Sequence, residues 1–307
     1  MNRVLVTPRS ITKNGNSALE RLREAGYEVV FTTPGEQPSE DELIALLPGC
    51  VGYLAGVEKI SARVLEAAPD LKVISRNGTG VDNIDLAAAE RLGIRVCRAE
   101  GANARGVAEL AFGLVLSLAR GIPFSDRAIK QGGWERRQGI ELEGRTLGLV
   151  GCGRIGRLVA SFALAFGMEV LAHDVVRDES LASLAGFTYR PLEEVLANSD
   201  FISLHCPPPE DGRPLIDASA LRTVKRGACI INTARAGLVD DEAVLNAMEE
   251  GRLTGFATDV YELEPPVARR LLANDRVIAT PHVGGLTSES VSRAVGVAIE
   301  NLLQYLS

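Results

Sequence analysis

The residues from Leu147 to Gly156, which read LGLVGCGRIG, are the most informative stretch of this chain. Four apolar residues, typical of a buried strand, are followed by three glycines in the pattern G-x-G-x-x-G and then by a helical stretch. In that context the first glycine makes a tight turn, the second lets the backbone approach a pyrophosphate, and the third lets the helix pack closely on the strand. The stretch therefore predicts a dinucleotide site, with cofactor contacts from Gly151, Gly153, Arg154, Ile155 and Gly156.

Short apolar runs alternate with helical stretches on both sides of this loop, which predicts βαβ units and parallel sheets. Six strands are predicted from residue 147 onwards: Leu147–Gly151, Glu169–His173, Phe201–His205, Ala228–Asn232, Gly255–Asp259 and Val277–Thr280. Five more are predicted in the first third: Arg3–Thr7, Glu28–Phe31, Val51–Ala55, Lys72–Ser75 and Ile94–Cys97. The expected fold class is therefore α/β, with two doubly wound parallel-sheet domains.

Asp174 ends the strand after the glycine loop, where an acid accepts hydrogen bonds from both adenosine ribose hydroxyls. A carboxylate there would repel the 2′-phosphate of NADP, so NAD is the expected cofactor. Arg177 lies close enough in sequence to leave strict preference for NAD over NADP open.

Ligands of such folds lie beyond the carboxyl ends of the strands, where the polar candidates are His205, Arg235, Asp259, Glu264 and His282. Oxidation of an alcohol needs a base for the hydroxyl proton, and histidine suits this role near neutral pH. Of the three histidines, His282 in a glycine-flanked loop is our prediction for this group, whereas His205, just before prolines, is expected to support the cofactor. Glu264 would orient His282 if the two strand ends converge, and the Arg235 fork would bind a substrate carboxylate and polarise the 2-oxo oxygen.

The composition restricts the class of protein. The net charge of −7 gives no electrostatic support for nucleic-acid binding, and no run of about 18 apolar residues predicts a membrane span. No secretory signal is visible at the start of the sequence. The five cysteines are widely spaced and form no Cys-x-x-Cys pair, so we expect neither disulfides nor a metal site, and a cytoplasmic location.

The segment 104–140 combines a long apolar helix, Ala104–Arg120, with a polar stretch, Gln131–Gly139, that holds the single tryptophan, Trp134. The polar stretch is either a loop anchored by one aromatic side chain or an arm that docks on a second subunit, since tryptophan favours interfaces. The sequence leaves both interpretations open.

Together these motifs resemble the D-isomer-specific 2-hydroxyacid dehydrogenase family, and most of all its phosphoglycerate dehydrogenase branch. The likeness extends from about residue 50 to the C-terminus. It depends on the glycine loop and on four further stretches in the same order along the chain: Asn77–Asp85, Asn232–Gly237, Asp259–Pro265 and Thr280–Gly285.

The resemblance implies a catalytic triad of Arg235, Glu264 and His282, and a contact of Asp259 with the nicotinamide carboxamide. It also implies that the backbone of Asn77, Gly78, Thr79 and Gly80 holds the substrate carboxylate, beside Arg76. Further cofactor contacts are expected from residues at the strand ends, namely His205, Cys206, Pro207, Thr233, Ala234, Gly284 and Gly285.

The resemblance further implies a Rossmann NAD-binding domain, 100–282, inserted in a discontinuous flavodoxin-like substrate domain, 1–99 and 283–307. It implies a homodimer formed through residues 104–140. The expected partner is a small 2-hydroxy or 2-oxo acid, with no nucleic acid and no membrane.

One departure concerns the substrate. Phosphoglycerate dehydrogenases similar to this chain carry an arginine near the position of Gly56, and only Arg76 remains of that pair here. Phosphoglycerate is therefore disfavoured, and a reductase of the hydroxypyruvate or glyoxylate type, or of another 2-oxo acid, is an alternative. A second alternative, of another class, is an NAD-sensing protein like the corepressors that resemble this family, which the absence of a disordered tail disfavours.

Overall fold

The computed structural model describes residues 2–267 and 270–306. Two compact units divide the chain. Unit 1 comprises Met1–Asn103 with Thr287–Ser307, and unit 2 comprises Ala104–Leu286. The division expected from the sequence has its boundaries at 99 and 282, a few residues before those of the structure.

Unit 1 contains a five-stranded parallel sheet of order β2-β1-β3-β4-β5. Its strands are β1 (Arg3–Val6), β2 (Glu28–Phe31), β3 (Cys50–Ala55), β4 (Val73–Arg76) and β5 (Arg95–Arg98). Its helices are α1 (Arg9–Asn14), α2 (Glu20–Glu24), α3 (Glu40–Leu46), α4 (Ala62–Glu66), α5 (Leu86–Arg91) and the C-terminal α13 (Ser288–Leu306). All six residues of β3 are buried, as expected for a central strand with both faces covered.

Helix α13 returns to unit 1 from the far end of the sequence. Its apolar residues recur at helical spacing, so that Val295, Ala298, Ile299 and Leu302 share a buried face. This face packs on the sheet beside Gly52, where an added Cβ would lie 2.9 Å from a methyl carbon of Leu306. The discontinuity of unit 1 therefore has a physical cause, because one face of its sheet is covered by the last helix.

Unit 2 contains a seven-stranded parallel sheet of order β12-β11-β10-β9-β6-β7-β8. Its strands are β6 (Thr146–Val150), β7 (Glu169–His173), β8 (Phe187–Tyr189), β9 (Phe201–Leu204), β10 (Ala228–Asn232), β11 (Leu253–Thr258) and β12 (Val277–Ala279). Its helices are α6 (Ala104–Arg120), α7 (Ile122–Lys130), α8 (Arg154–Ala165), α9 (Glu179–Ala182), α10 (Leu192–Asn198), α11 (Ala218–Thr223) and α12 (Asp241–Glu249). The expected doubly wound parallel architecture is confirmed for both sheets.

The sequence predicts six strands in this unit, and the described residues of the unit form seven. The additional strand, β8, is a three-residue edge strand that pairs only with β7 in the described chain. Three residues are too few to display an alternating pattern, which explains why the sequence does not reveal it.

The sheet of unit 2 separates two hydrophobic cores. Ile230 and Ile231 are adjacent in β10 and fully buried, yet they lie in different cores because successive side chains point to opposite faces. On one face α6 packs against α8, with the Phe112 ring 5.9 Å from that of Phe162 and 5.0 Å from that of Phe166. Within the described ranges no single helix is long and apolar enough to cross a membrane, and α6 and α7 meet that test only as a pair bent by 65°.

Candidate active site

The glycine loop has the tight geometry that its sequence predicts. Gly151 has a φ of +96°, and an added Cβ would lie 2.6 Å from the His205 carbonyl carbon and oxygen. At Gly156 an added Cβ would lie 2.1 Å from the Gly151 carbonyl oxygen. Both distances are shorter than the non-bonded contacts that Cβ atoms make in proteins. These two positions therefore require glycine if strand β6, helix α8 and the end of β9 are to stay this close.

The second glycine of the loop, Gly153, differs because no atom lies within 4 Å of the place where its Cβ would be. It is the N-cap residue of α8, and no side chain caps this helix end. Backbone N–H groups and the positive end of the helix dipole therefore face open space, an arrangement that suits a pyrophosphate. A dinucleotide fits the residues that the chain provides here.

The carboxylate of Asp174 lies against the same loop. Its Oδ2 accepts a hydrogen bond from the Cys152 N–H at 2.5 Å, and its Oδ1 accepts one from the Val176 N–H at 2.9 Å. Burial, with Asp174 as the second cause, raises the pKa of the Cys152 thiol to about 12, so this thiol is neutral at physiological pH. Asp174 is thus held just after the end of β7, beside the glycine loop.

Two polar atoms at the neighbouring strand ends are buried without a hydrogen-bond partner among the described residues: Nδ1 of His205 and Oγ1 of Thr233. The other ring nitrogen of His205 lies 2.9 Å from the Ser203 hydroxyl. Burial lowers the pKa of His205 to about 4, so the ring is neutral at physiological pH. Buried polar atoms of this kind are usually satisfied by a ligand or water, which agrees with a cofactor at this edge of the sheet.

His282 and Glu264 form a pair beyond the ends of β12 and β11. Nδ1 of His282 lies 2.7 Å from Oε1 and 2.9 Å from Oε2 of Glu264. About half of each side chain is exposed. If Nδ1–H donates to the carboxylate, the glutamate holds the ring in one orientation and leaves Nε2 as the nitrogen that can exchange a proton.

The backbone of His282 has a φ of +53°, and His282 is the only described residue other than glycine with a positive φ. The buried carboxylate of Asp259 binds both sides of this residue. Its Oδ1 accepts from the Thr280 hydroxyl at 2.6 Å and from the Val283 N–H at 2.8 Å, while Oδ2 accepts from the Gly284 N–H at 2.8 Å. Three hydrogen bonds to one buried carboxylate therefore hold the loop that carries the strained histidine.

Tyr261 adds two further bonds to this loop. Its hydroxyl donates to the Thr280 carbonyl oxygen at 2.8 Å, and its N–H donates to Oε1 of Glu264 at 3.4 Å. The sequence does not single out Tyr261, Thr280 or Ser203 as parts of the site. The available signal was their position, since each lies within two residues of a predicted site residue at a strand end.

The remaining predicted residues of unit 2 lie at the carboxyl ends of adjacent strands. Arg235 follows β10 and is partly buried, and its Nη1 donates to the Ala234 carbonyl oxygen at 2.8 Å. Asn232 fixes this turn, because its side chain donates to the Arg235 carbonyl and accepts from the Ala234 N–H. Cys206 and Pro207 follow His205 after the end of β9, and Gly285 follows the segment that Asp259 binds. The structure thus pairs His282 with Glu264 and places Arg235 at the end of a strand next to β11.

The predicted substrate loop belongs to unit 1, where Asn77–Gly80 follows β4 and every residue of it is partly buried. Nη1 of Arg76 donates to the Asn77 carbonyl oxygen at 2.7 Å, and an added Cβ at Gly78 would lie 2.7 Å from the same nitrogen. The Arg76 guanidinium therefore lies on the loop backbone, and Gly78 provides the space for it. The Thr79 hydroxyl donates to Oδ1 of Asn103 at 3.1 Å, which fixes the far side of the loop.

Comparison with known proteins identifies the family. The family model for the D-isomer specific 2-hydroxyacid dehydrogenase, NAD binding domain, matches residues 112–284. A hydroxypyruvate reductase of Thermotoga maritima is 41% identical to the chain, over 86% of this chain and 87% of that protein. A D-3-phosphoglycerate dehydrogenase of Rattus norvegicus is 40% identical over 89% of this chain, which spans only 51% of that protein's length.

Among solved structures, a D-lactate dehydrogenase of Aquifex aeolicus, complexed with NAD and lactic acid, superposes with a TM-score of 0.82. It is 30% identical, and the match covers 99% of this chain and 95% of that one. The chain belongs to the D-isomer specific 2-hydroxyacid dehydrogenase family, which confirms the NAD cofactor and the 2-hydroxy-acid dehydrogenase activity expected from its sequence.

Proposed function

We propose that the chain reduces a short 2-oxo acid of the hydroxypyruvate or glyoxylate type, or oxidises the corresponding D-2-hydroxy acid. The observation that carries the proposal is the pair formed by His282 and Glu264, 2.7 Å apart, beyond the carboxyl ends of the strands of a dinucleotide-binding sheet. A histidine oriented by a carboxylate is the group that this reaction needs, because a proton must leave or join the substrate oxygen as hydride moves. The 41% identity to a hydroxypyruvate reductase over nearly the whole of both chains supports this type of substrate.

In this proposal each residue has one role. In the oxidation direction, Nε2 of His282 takes the proton of the substrate hydroxyl, and in reduction it returns a proton to the same oxygen. Glu264 orients the ring and stabilises its charged form. Arg235 binds the substrate carboxylate and polarises the 2-oxo oxygen with its planar fork. The bound cofactor would accept the hydride as NAD in the oxidation direction and supply it as NADH in reduction.

Cofactor binding follows from the glycine loop and its neighbours. The N–H groups at the start of α8 would hold the pyrophosphate, and Asp174 would accept hydrogen bonds from the adenosine ribose. The neutral ring of His205 and the Thr233 hydroxyl would complete the wall beside the nicotinamide half. In unit 1, the backbone of residues 77–80 would hold the substrate carboxylate, and its two glycines leave that backbone accessible.

The experiment measures the rate at which the wild type and His282→Ala reduce a panel of 2-oxo acids. Each acid is tested with NADH and with NADPH, and the fall in absorbance of the reduced cofactor gives the rate. The panel contains hydroxypyruvate, glyoxylate, pyruvate, sulfopyruvate and phosphohydroxypyruvate. We expect His282→Ala to lower kcat by about 10²–10⁴-fold while NADH binding is retained. His173→Asn is the matched control. His173 lies at the end of β7 and has no role in the proposed reaction, so this variant should keep most of the wild-type turnover.

Wild-type turnover by His282→Ala would contradict the role of this histidine. Intact NADH binding without turnover on any member of the panel would favour the alternative, an NAD-sensing binding protein.

We also propose a homodimer formed through residues 104–140. Every residue from Gln131 to Ile140 is exposed, and Trp134 is 81% exposed, which is unusual for a large aromatic side chain unless a partner covers it. Ile122 and Ile129 of α7 are more than half exposed as well. Light scattering should give twice the chain mass, and Trp134→Ser should shift the protein towards the monomer.

The location that we propose is the cytoplasm. All five cysteines are free thiols, and three of them are buried. Free thiols are typical of proteins that reside in a reducing compartment.

A further inference from the structure

The sheet of unit 1 has a point where its strand order reverses, between β1 and β3. The chain leaves β1 on one side of this point towards β2 and later leaves β3 on the other side towards β4. In open parallel sheets, the loops that follow two such strands separate, and a crevice for ligands forms outside their carboxyl ends. The residues directly after β1 and β3 therefore determine what this edge of unit 1 accepts.

A carboxylate, that of Glu58, lies at this reversal point and is only 2% exposed. Its Oε1 accepts hydrogen bonds from the Tyr53 hydroxyl at 2.7 Å, from the Gly56 N–H at 2.9 Å and from the Thr7 hydroxyl. These three donors come from the end of β1 and from β3 with the turn after it. An ionised carboxylate only accepts hydrogen bonds, so three donors on one oxygen suit the charged form.

The second oxygen of Glu58 limits the space above β3. An added Cβ at Gly56 would lie 2.6 Å from Oε2 of Glu58 and 3.2 Å from Cα of Pro8. A longer side chain at position 56 would therefore displace the glutamate or the backbone after β1. With Glu58 in this place, position 56 has no room for a basic side chain.

The turn that carries Glu58 is joined through its backbone carbonyl groups to the segment that follows β4. Nδ2 of Asn83 donates to the Glu58 carbonyl oxygen at 2.6 Å, and the Asn77 N–H donates to the Ala55 carbonyl oxygen at 2.8 Å. The turn that carries Glu58 and the loop from residue 77 to residue 80 thus lie side by side at the ends of β3 and β4. The buried charge is screened less by water than a surface charge is.

The charges at this edge suit a ligand with one negative group. Arg76 lies on the substrate loop and favours an anion, whereas buried Glu58 opposes one. The exposed side chains of Lys59 and Asp82 are of opposite sign and lie in water, where salt screens them. The carboxylate common to all 2-oxo acids matches Arg76, and a second anionic group bound at this edge would be repelled by the carboxylate of Glu58.

We propose that Glu58 is a specificity-determining residue that makes unit 1 select 2-oxo acids with no second anionic group and reject phosphorylated ones. This inference rests on the proposed function, because it assumes that the loop after β4 receives the substrate carboxylate. It narrows the substrate class to monoanionic acids such as hydroxypyruvate, glyoxylate and pyruvate.

The test compares kcat/KM for phosphohydroxypyruvate and hydroxypyruvate, which differ by one phosphate, in the wild type and in Glu58→Gln. The wild type should prefer hydroxypyruvate. Glu58→Gln keeps the size of the side chain and removes its charge, and it should raise the ratio of phosphorylated to unphosphorylated substrate by about tenfold or more. Since both substrates are measured on one preparation, partial unfolding of the variant cancels in the ratio.

Two control variants separate charge from structure. Glu66→Gln removes an exposed charge that pairs with Arg91 on the helices of the same unit, and it should leave the ratio unchanged. Tyr53→Phe removes one donor to Glu58 and keeps the carboxylate, so it should lower stability without raising the ratio.

Equal wild-type use of the two substrates, or an unchanged ratio in Glu58→Gln, would overturn the inference and leave the proposed function standing. Better wild-type use of phosphohydroxypyruvate would contradict the proposed type of substrate as well. No turnover of any 2-oxo acid by the wild type would overturn both.

Discussion

Replacement of His205 by asparagine should make the protein less sensitive to acid. The ring is buried at the end of β9, and burial lowers its pKa from 6.5 to about 4. In the unfolded chain the ring titrates near its usual value, so between these two pH values the unfolded state binds more protons and stability falls as the pH falls. The full difference of about 2.5 pH units corresponds to ~3.4 kcal/mol, reached below pH 4.

At pH 5 the folded ring is still mostly neutral, whereas the ring of the unfolded chain is mostly protonated. The free energy of unfolding should therefore be about 2 kcal/mol lower at pH 5 than at pH 8 as a result of His205. Urea unfolding at the two pH values should therefore show a loss of stability that is about 2 kcal/mol larger in the wild type than in His205→Asn. Proton NMR provides a direct check, since the chain has only three histidines and the missing signal of the variant identifies His205. A midpoint near 6.5 for that signal would refute the reasoning, as would equal acid sensitivity of the two proteins.

Three further predictions concern the cofactor and catalytic loops. In Asp259→Asn the side chain cannot accept all three hydrogen bonds that hold the loop around His282. The activation free energy should rise by about 1.4–2.8 kcal/mol, which lowers kcat by about 10–100-fold. Steady-state rates and NADH titration check this, and an unchanged kcat would contradict it. Gly156→Ala places a Cβ 2.1 Å from the Gly151 carbonyl oxygen and should lower Tm by several degrees or more. Gly153→Ala has open space at its Cβ, so it should keep the wild-type Tm and weaken NADH binding. Equal Tm values of the two variants would contradict this geometry. Asp174→Ala removes the acid beside the glycine loop and should raise the NADPH-to-NADH ratio of kcat/KM, and a constant ratio would exclude its expected role.

The order of strands and helices was largely predictable because it depends on local patterns. Apolar runs such as Glu169–His173 and the spacing of Gly151, Gly153 and Gly156 are properties of neighbouring residues, and the chain folds at these places as predicted. Strand β8 was missed, since three residues at a sheet edge gain their conformation from pairing with β7 and have no pattern of their own.

The candidate site was predictable in its residue types and less so in its contacts. Polar side chains at strand ends pointed to Glu264 and His282, and these two side chains are hydrogen-bonded. The local sequence does not show that Asp259 would bind the residues on both sides of His282, because those partners are more than twenty residues away along the chain.

The fold class and the glycine loop could be predicted from the sequence, which also supplied the candidates for proton transfer, because periodicity and spacing are encoded over a few residues. The pairing of each carboxylate with its hydrogen-bond donors, by contrast, is a property of the folded chain. Glu58 appears in the sequence as an acidic residue shortly after a buried strand, and it becomes a buried, hydrogen-bonded carboxylate at the β1–β3 reversal point only when Thr7 and Tyr53 are brought to it. The physical reason is that burial and hydrogen bonding depend on distances in space between segments that are far apart along the chain.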